Sequence, residues 1–432
     1  MMSNTTSHPH GYKVALYPTP SQCKKLEQIF GNVRFVFNKF IQYREWEYEH
    51  GYTNKETGRH SYKHVRTILT VDNKRRYPWL KEAPATALQE ACKQAKVAYG
   101  NMITKRAEGK KCATPRRKKY GKQSFTLPGK TAFKIRETNA KRHRGHIYIP
   151  KVGWVRYHAG KALDNASGVT IIKEKDGSYY ASVSLPYTKP ININDRTSAF
   201  DLGLKDLVTG VTSDGMKIVL ENPRHYKKAE KNLKKQQRRL SRKKKGSSSY
   251  TKQKKKLSKA HRYVKNVRDD YLHKFSYDVA VNSHDVTMEN LGIEDLKQNS
   301  RYAKNISDAS WATLMTMIQY KISGTFTQVD RYFPSSKQCS WCHNKVSKLP
   351  VSIRKWTCPT CSTILDRDGN AAVNILVTGG HSETLNASGV DVRQLSQPLS
   401  MLKLEYFCTM HKKIYGDNHG LKIYTLTKKP HP

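Results

Sequence analysis

The chain has 432 residues, and its 79 Lys and Arg against 34 Asp and Glu give a formal net charge of +45 at pH 7. This length is enough for about two to four domains with hydrophobic cores, so it excludes a small scaffold that depends on disulfides. The positive charge exceeds what solubility requires and would repel itself without a polyanion, which indicates a nucleic-acid partner. A structural basic protein of the ribosomal kind is the alternative that charge alone leaves open.

The amino-terminal stretch MMSNTTSHPHGYKVALYP has no apolar core of the kind that signal peptides carry. The sequence also contains no apolar run near the roughly 18 residues that a membrane-spanning helix requires. We therefore expect a soluble intracellular protein without a membrane partner.

The first predicted elements are a strand, YKVALYP, and a helix with clear start signals. Thr19 and Gln22 form a capping box around Pro20, which stands at the first helical position. Apolar residues then recur at helical spacing and predict one buried face: Leu26, Ile29, Phe30, Val33, Phe37 and Phe40. Further helices are predicted at 61–71 and from Pro84 to about Lys105.

The stretch KRAEGKKCATPRRKKYGKQ, residues 105–123, breaks this periodicity and is dense in positive charge. We interpret it as a linker that contacts phosphates. Short β patterns return from Ser124 to about Pro190, in SFTLPG, HIYIPKVGWVRYH and GVTIIKEKDGSYYASVSLP. They predict a small barrel or sandwich that the preceding helices interrupt.

Three consecutive short strands are predicted in TSAFDLGLKDLVTGVTSDGMKIVL, where Gly and Asp-Gly mark the turns. Asp201 lies at the end of the first of these strands. A later strand, HDVTMENL, delivers Glu289 at its far end, and Asp368 lies immediately before a short predicted helix. Asp366 and Asp206 are alternatives, because turn chemistry and capping alone account for many such acids.

Three carboxylates at the ends of secondary-structure elements are suited to divalent cations. Mg²⁺ prefers oxygen ligands and is usually held by few protein carboxylates plus substrate phosphate. Three acids can hold two ions, of which one activates water for in-line attack on a phosphodiester and the other stabilises the departing 3′ oxygen. Spacing alone leaves separate surface or capping roles equally open.

Residues 222–268 hold 20 Lys or Arg and a single acid, Glu230. Apolar residues recur every seven positions on both sides of GSSS and predict a helical hairpin with a thin apolar seam: Tyr226, Leu233, Leu240, then Tyr250, Leu257, Val264 and Tyr271. The other faces are almost purely cationic, which favours an arm that grips nucleic acid over a solvated hairpin or a nuclear-localisation-like patch. The lysines expected to contact nucleic acid are Lys243, Lys244, Lys245, Lys254, Lys255 and Lys256.

The chain has eight cysteines, of which four are scattered: Cys23, Cys92, Cys112 and Cys408. The other four form two C-x2-C pairs with fifteen residues between them: Cys339, Cys342, Cys358 and Cys361. Two such pairs complete a closed tetrahedral zinc site, which leaves no position for water and is therefore structural. A redox C-x2-C pair would explain one motif but not its twin.

Several motifs together carry a resemblance to a known family: KVALYPTPSQ, GNVRFVFN, AFDLGLKDL, VTMENLGIEDL, YFPSSKQCSWC and WTCPTCSTILDRDGNAAVNI. They span about residues 11–378 and are similar to the TnpB proteins that insertion sequences encode. The resemblance implies an α/β multidomain chain, in which a zinc ribbon is inserted in an RNase H-like RuvC nuclease domain and helical recognition elements interrupt a β-barrel wedge domain. It also implies kinship with the type V CRISPR effectors.

Carried over by motif, the resemblance makes Asp201, Glu289 and Asp368 the catalytic acids and favours Asp368 over Asp366. It implies catalytic Mg²⁺, as two ions, and one structural Zn²⁺. Three positions depart from the family pattern, and none is a metal ligand: Phe200, where the family is usually aliphatic, and His343 and Ser362, where Gly commonly follows the cysteine.

The resemblance implies an RNA-guided DNA endonuclease that pairs a guide RNA from the transposon end with double-stranded target DNA beside a short flanking motif. The basic hairpin is then expected to grip the guide RNA or its duplex with the target. We expect a monomer in the RNA complex, in the cytoplasm and associated with the nucleoid of a prokaryote. A type V CRISPR-like effector and a nuclease-inactive RNA-guided repressor are the alternatives, whereas a transposase fits the motifs poorly.

The expected division of the chain is as follows: wedge at 1–18, helical recognition domain at 19–123, wedge again at 124–190, RuvC at 191–333 with the basic helical hairpin at 222–282, zinc ribbon at 334–365, the last part of RuvC at 366–378, and a basic tail at 379–432. The tail turns polar, Gly-rich and then basic. Its composition indicates nothing beyond a flexible segment.

Overall fold

The structure, a computed structural model, describes residues 9–50, 77–120, 123–187, 189–192, 196–381, 396 and 421–424. The chain divides into two compact units, Met1–Thr188 and Lys189–Pro432, with separate hydrophobic clusters. The helix predicted at 61–71 lies outside the described residues. In the described parts of the chain, no helix combines the length and the apolar character needed to cross a membrane.

The described residues of the first unit form seven strands and two long helices. The strands are β1 (Pro9–Tyr17), β2 (Gln123–Pro128), β3 (Lys134–Asn139), β4 (Arg144–Ile149), β5 (Gly153–His158), β6 (Gly168–Lys173) and β7 (Tyr179–Pro186). All pair antiparallel, in the order β2-β6-β7-β1-β5-β4-β3. The helices α1 (Pro20–Glu49) and α2 (Ala85–Ala107), with a 3₁₀ turn at Pro78–Glu82, lie between β1 and β2 in the chain. They therefore interrupt the connectivity of one sheet.

Helix α1 begins with the predicted capping box. The Gln22 N–H donates to the Thr19 hydroxyl at 3.3 Å, and the Thr19 N–H donates to the Gln22 side chain at 3.0 Å. All six residues of its predicted apolar face are buried, and α2 packs against it. Since each buried large apolar side chain contributes about 1.5–3 kcal/mol, this face holds the helix in the core of the unit.

The second unit is built on a mixed sheet of six strands, with a separate pair of short strands. The strands of the unit are β8 (Thr197–Leu202), β9 (Asp206–Thr212), β10 (Lys217–Glu221), β11 (Asp285–Glu289), β12 (Phe326–Val329), β13 (Lys355–Thr357), β14 (Ile364–Asp366) and β15 (Leu421–Tyr424). Strands β8, β9 and β10 form an antiparallel meander, and β11 and β12 add in parallel beside β8. The order is β12-β11-β8-β9-β10-β15, while β13 and β14 pair with each other.

The helices of this unit are α3 (His225–Ser241), α4 (Ser248–Asn282), α5 (Ile293–Gln298), α6 (Ser300–Ala309), α7 (Trp311–Lys321) and α8 (Arg367–Leu376). Helices α4 and α7 pack on one face of the sheet and α8 on the other. Phe200, Val286 and Met288 cluster with buried residues of α4 and α7. Ala199 and Val211 cluster instead with α8. Because side chains alternate along a strand, residues two positions from Ala199 face α8 as well.

Helices α3 and α4 form the predicted basic hairpin. Leu233, Leu257 and Val264 are buried in its seam, with Tyr226 and Leu240 packed against them. The Gln253 amide also donates to the Gln236 side chain across the hairpin at 2.8 Å. The predicted seam is therefore confirmed for these five residues, whereas Tyr271 packs against the cluster between the sheet, α4 and α7.

Residues 421–424, within the segment for which the sequence indicated only a flexible tail, contribute a strand to the sheet. Strand β15 pairs antiparallel with β10, in a register that places Leu421 opposite Leu220 and Tyr424 opposite Lys217. Ser396 also contacts the body of the unit, because its carbonyl accepts the Asp366 N–H at 2.8 Å. Polar and basic composition did not reveal the strand, since edge strands tolerate charged residues.

Candidate active site and metal centre

The first predicted acid, Asp201, lies near the end of the central strand β8. It is two residues after Ala199 and so points to the face of the sheet that α8 covers. The Asp201 side chain is partly buried, between buried Phe200 and Leu202. The strand thus carries a carboxylate into the layer between the sheet and α8.

Glu289 lies at the end of the neighbouring strand β11. The parallel register pairs Asp285 with Thr197 and Met288 with Phe200, and the same offset brings Glu289 beside Asp201. Val286 and Met288 face the opposite layer, so Glu289 shares the α8 face. Two acids that lie far apart in the sequence therefore meet through strand register.

Asp368 and Asp366 have different local roles. Asp366 is the N-cap of α8, where its side chain accepts the Gly369 N–H at 3.0 Å. It also forms an ion pair at 3.1 Å with Lys217, whose side chain is 1% exposed. Asp368 lies inside the first turn of α8, whereas the sequence predicted it immediately before the helix. Asp366 thus stabilises the fold by capping α8 and by pairing with Lys217. Asp368 does not cap the helix.

The pKa values of the three acids indicate burial of all three and, for Asp201, crowding by the charges of the other two. Burial raises the pKa of Asp201 well above its usual range, and the charges of Glu289 and Asp368 raise it further. Burial also raises the pKa of Glu289, against a hydrogen bond from Ser335 that lowers it. Burial raises the pKa of Asp368 too, opposed mainly by Arg354. A bound cation would relieve this unfavourable burial of negative charge.

Arg354 holds Asp368 in its present position. One guanidinium nitrogen, Nη1, donates to both carboxylate oxygens of Asp368 at 3.0 Å. The alternative acid Asp206 begins β9 and contributes only a smaller increase to the pKa of Asp368. The carboxylates interact electrostatically but do not converge to within 4.8 Å. In the described parts of the chain, the four paired cysteines are the only group of three or more possible metal ligands whose ligand atoms all lie within 4.8 Å of one another.

Those cysteines converge on one point. The Sγ atoms of Cys339 and Cys361 are 3.7 Å apart, and those of Cys342 and Cys358 are 3.5 Å apart. Both distances join one C-x2-C pair to the other. A tetrahedron with metal–sulfur bonds of about 2.3 Å has edges of about 3.8 Å, so the spacing fits one ion held by both pairs. The alternative of two independent redox pairs does not explain this arrangement.

Each C-x2-C pair is shaped by a tight turn. His343 N–H donates to the Cys339 carbonyl at 3.0 Å, and Ser362 N–H donates to the Cys358 carbonyl at 2.9 Å. His343 and Ser362 have φ angles of 59° and 58°, in the left-handed region that favours glycine. These are the two positions where the sequence departs from Gly, so the cluster forms at some cost in backbone strain.

The six lysines singled out in the sequence lie away from these centres, toward the tip of the hairpin. Lys243, Lys244 and Lys245 lie in the turn between α3 and α4, while Lys254, Lys255 and Lys256 lie in the second turn of α4. Five of them are exposed and Lys243 is partly buried. Their charge is therefore available at the surface of the second unit.

Sequence reasoning missed several residues that surround the acids. They are Lys217, Ser335, Arg354, Asn370 and Asn374. Asn370 and Asn374 are four residues apart in α8 and both are buried, where their amides bond to the loop that enters the cysteine region. Two asparagines at this spacing inside an apolar helix were an available signal, since asparagine is a poor helix former that needs partners when buried.

The chain is 32% identical over 379 residues to a Streptomyces pristinaespiralis protein named "Putative RNA-guided DNA endonuclease", covering 85% of this chain and 89% of that protein. This degree of identity over most of both chains agrees with the motifs quoted above. The chain belongs to the TnpB family. A second TnpB-like relative, "Putative RNA-guided DNA endonuclease InsQ" of Escherichia coli K12, is 28% identical over 388 residues, covering 85% of this chain and 92% of the relative.

Family models match three parts of this TnpB family member. The OrfB_IS605 model, described as "Probable transposase", matches residues 182–300, and a model described as "Cas12f1-like, TNB domain" matches 311–375. A model described as "Helix-turn-helix domain" matches residues 10–53. In the described part of that last range, the structure has strand β1 followed by one long helix.

A solved structure shares the fold. The protein in a Cas12f1–sgRNA–target DNA complex superimposes with a TM-score of 0.54 at 14% identity, covering 82% of both chains. The expectation of a mixed α/β multidomain chain is therefore confirmed for this TnpB family member.

Proposed function

We propose that this TnpB family member is an RNA-guided DNA endonuclease of an insertion sequence, and that Asp201, Glu289 and Asp368 carry out cleavage. One observation carries the proposal: β8, β11 and α8 bring three acids to one face of a sheet, where burial and the charges of Glu289 and Asp368 raise the pKa of Asp201. The strand order supports an RNase H-like RuvC domain, since the antiparallel meander is followed by two parallel strands beside its first strand. The family relatives support the guided activity.

The three carboxylates fit Mg²⁺ by their chemistry, because all are hard oxygen donors in a partly buried site where burial raises the pKa of each. Bound there, Mg²⁺ supplies Lewis-acid stabilisation of the charge that develops on the phosphodiester and lowers the pKa of water. The two-ion arrangement is part of this proposal. Asp201 and Glu289 supply ligands from rigid strands, and Asp368 supplies one from the first turn of α8. Arg354 competes with a cation for the oxygens of Asp368.

The four cysteines fit a structural zinc. Their sulfurs are spaced as one tetrahedron, and the region around them buries few other apolar residues, chiefly Trp356 and Leu365. So small a core is not enough to hold a loop-rich segment, and a structural metal would supply the missing folding free energy. We therefore assign residues 334–365 as a zinc ribbon inserted before the last acid.

The remaining parts have proposed roles in nucleic-acid binding. The seven-stranded sheet interrupted by α1 and α2 supports a wedge domain with a recognition insertion, which would read the flanking motif. The basic hairpin would grip the phosphates of the guide RNA or of its duplex with the target. Base pairing would then read the sequence, while the protein reads shape and the flanking motif.

Sequencing of RNA that copurifies with the protein tests the guided function. We expect one defined scaffold with a variable end. The purified complex should then cut a duplex matching that variable end, in Mg²⁺, only when the flanking motif is present. A random mixture of cellular RNA, together with cutting that does not follow the guide sequence, would contradict the proposal.

A further inference from the structure

A partly buried hydrogen bond joins Glu289 to the start of the proposed zinc ribbon. The Ser335 hydroxyl donates to Glu289 Oε1 at 2.5 Å. Ser335 is 4% exposed, so water cannot readily replace it as a donor. Glu289 also lies in a partly buried site where its charged form is disfavoured. This one hydroxyl therefore both satisfies a carboxylate oxygen and restricts the side chain.

Helix α8 fixes the position of Ser335. The Asn374 amide nitrogen donates to the carbonyls of Ser335 and Gln338, both at 2.7 Å. Both amide hydrogens are thereby used. The Asn370 amide nitrogen also donates to the Gln338 carbonyl at 2.7 Å. Both asparagines are buried, so these bonds are shielded from competition by solvent.

The same bonds reach the first cysteine pair. Gln338 directly precedes Cys339, and Asn370 Oδ1 accepts the Ser340 N–H at 2.9 Å. Ser340 lies between Cys339 and Cys342. Asp368 lies in the same helix, two residues before Asn370. One helix thus carries one acid of the cluster and fixes the loop that holds a second acid.

We propose that Ser335 is a positioning residue for Glu289, and that α8 and the start of the ribbon act through Ser335 to set the affinity of the acid cluster for its divalent cation. This inference rests on the proposed function of the three acids. A hydrogen bond to a charged group is worth enough to change an equilibrium about tenfold or more. A cation that binds a preoriented carboxylate does not have to order it, so the bond strengthens cation binding.

Ser335→Ala removes the hydroxyl, and Ser335→Thr retains it. Ser283→Ala is the matched control, because Ser283 is also buried in the same unit and its hydroxyl bonds to the Ser198 hydroxyl, at 2.6 Å, and not to an acid. Three quantities are measured for each variant: bound zinc, the unfolding temperature, and the Mg²⁺ concentration for half-maximal cleavage. A fourth does not depend on DNA cleavage. Iron(II) is bound in place of Mg²⁺ at a concentration well below its own dissociation constant, and with hydrogen peroxide and ascorbate it generates hydroxyl radicals that cut the polypeptide beside its site, while Mg²⁺ is titrated as the competitor.

We expect Ser335→Ala to retain zinc and to unfold at the temperature of Ser283→Ala, while it requires about tenfold more Mg²⁺ in both titrations. Ser335→Thr should recover most of this loss. Asn374→Ala should raise the Mg²⁺ requirement in the same direction with zinc retained, although Asn374 bonds to the Ser335 carbonyl and not to an acid.

An unchanged Mg²⁺ requirement in Ser335→Ala, or an equal loss in Ser335→Thr, would overturn the positioning role. Loss of zinc in step with the Mg²⁺ defect would show that Ser335 is merely structural, which overturns it too. An unchanged requirement in Asn374→Ala would refute the connection through α8. Failure of the proposed function is a different result, because Asp201→Ala would then leave the pattern of iron-directed cutting unchanged.

Discussion

The two candidate metal centres of the second unit are assembled in different ways. The four cysteines come from a single segment, 339–361, and two tight turns bring their sulfurs together. The three acids come from β8, β11 and α8, and only the register of the sheet and the packing of α8 make them neighbours. The cysteine centre is therefore encoded locally, whereas the acid centre depends on the whole sheet.

This difference has a consequence for what each centre can do. A closed set of four sulfurs leaves no position for a substrate, which suits a structural ion. The acids are less tightly converged, and Arg354 occupies the oxygens of one of them. A centre of this kind can admit a cation together with a substrate phosphate. Substitutions at the two centres should consequently separate folding from chemistry.

The largest effect is expected at the acid centre. Asp201→Ala should lower the cleavage rate about 10³-fold or more. The change removes a ligand of a cation that stabilises the transition state by several kcal/mol. Adding Glu289→Ala should cost little more, since the acids act as one unit. Single-turnover cleavage of a guide-matched duplex measures both. Additive losses in the double variant would indicate separate roles for the two acids.

A large effect on folding is expected at the cysteine centre. Cys358→Ser should release the zinc and unfold the ribbon, because apparent binding free energies of about 10–16 kcal/mol are available from structural zinc. Zinc analysis and limited proteolysis within 334–365 measure this. Cys92→Ser is the matched control, since Cys92 is buried in α2 of the other unit. Purified protein that contains no zinc would contradict the assignment of a zinc site.

The sequence predicted the members of both centres, but not the residues that contact the acids. The capping box at Thr19, the apolar face of α1 and the C-x2-C spacing are local signals, and the structure confirms them. The bonds of Ser335 with Glu289 and of Asp366 with Lys217 join residues that no local pattern relates. Strand β15 likewise exists because β10 offers an edge to pair with. Long-range packing decides such features, so propensity and spacing do not reveal them.

A moderate effect is expected at the basic hairpin. Changing Lys244, Lys245, Lys254 and Lys255 to Gln should weaken nucleic-acid binding without regard to sequence. The slope of log affinity against log salt should flatten by up to about 0.9 for each phosphate that these lysines no longer neutralise. Binding measured across a salt series gives the slope. Since these lysines lie away from both centres, zinc content and the Mg²⁺ requirement should not change. An unchanged slope would mean that the hairpin lysines face solvent and do not contact phosphates.

The smallest effect is expected at the turns of the cysteine pairs. His343→Gly and Ser362→Gly should each stabilise the ribbon by about 0.5–1 kcal/mol, because φ angles of 59° and 58° strain a side chain but not glycine. Competition with a zinc chelator measures the gain as slower or weaker zinc loss. Cleavage should remain at its original rate. Faster zinc loss in both variants would show that these side chains make interactions that outweigh the strain.

The most direct test compares Asp368→Ala with Asp366→Ala for both cleavage and binding of a guide-matched duplex. Asp366 caps α8 and pairs with buried Lys217, so its loss should lower the free energy of unfolding by about 3 kcal/mol while much of the cleavage survives. Asp368→Ala should abolish cleavage and leave binding intact, since binding rests on base pairing and phosphate contacts. Full cleavage by Asp368→Ala, with loss only in Asp366→Ala, would contradict the assignment of the catalytic acid.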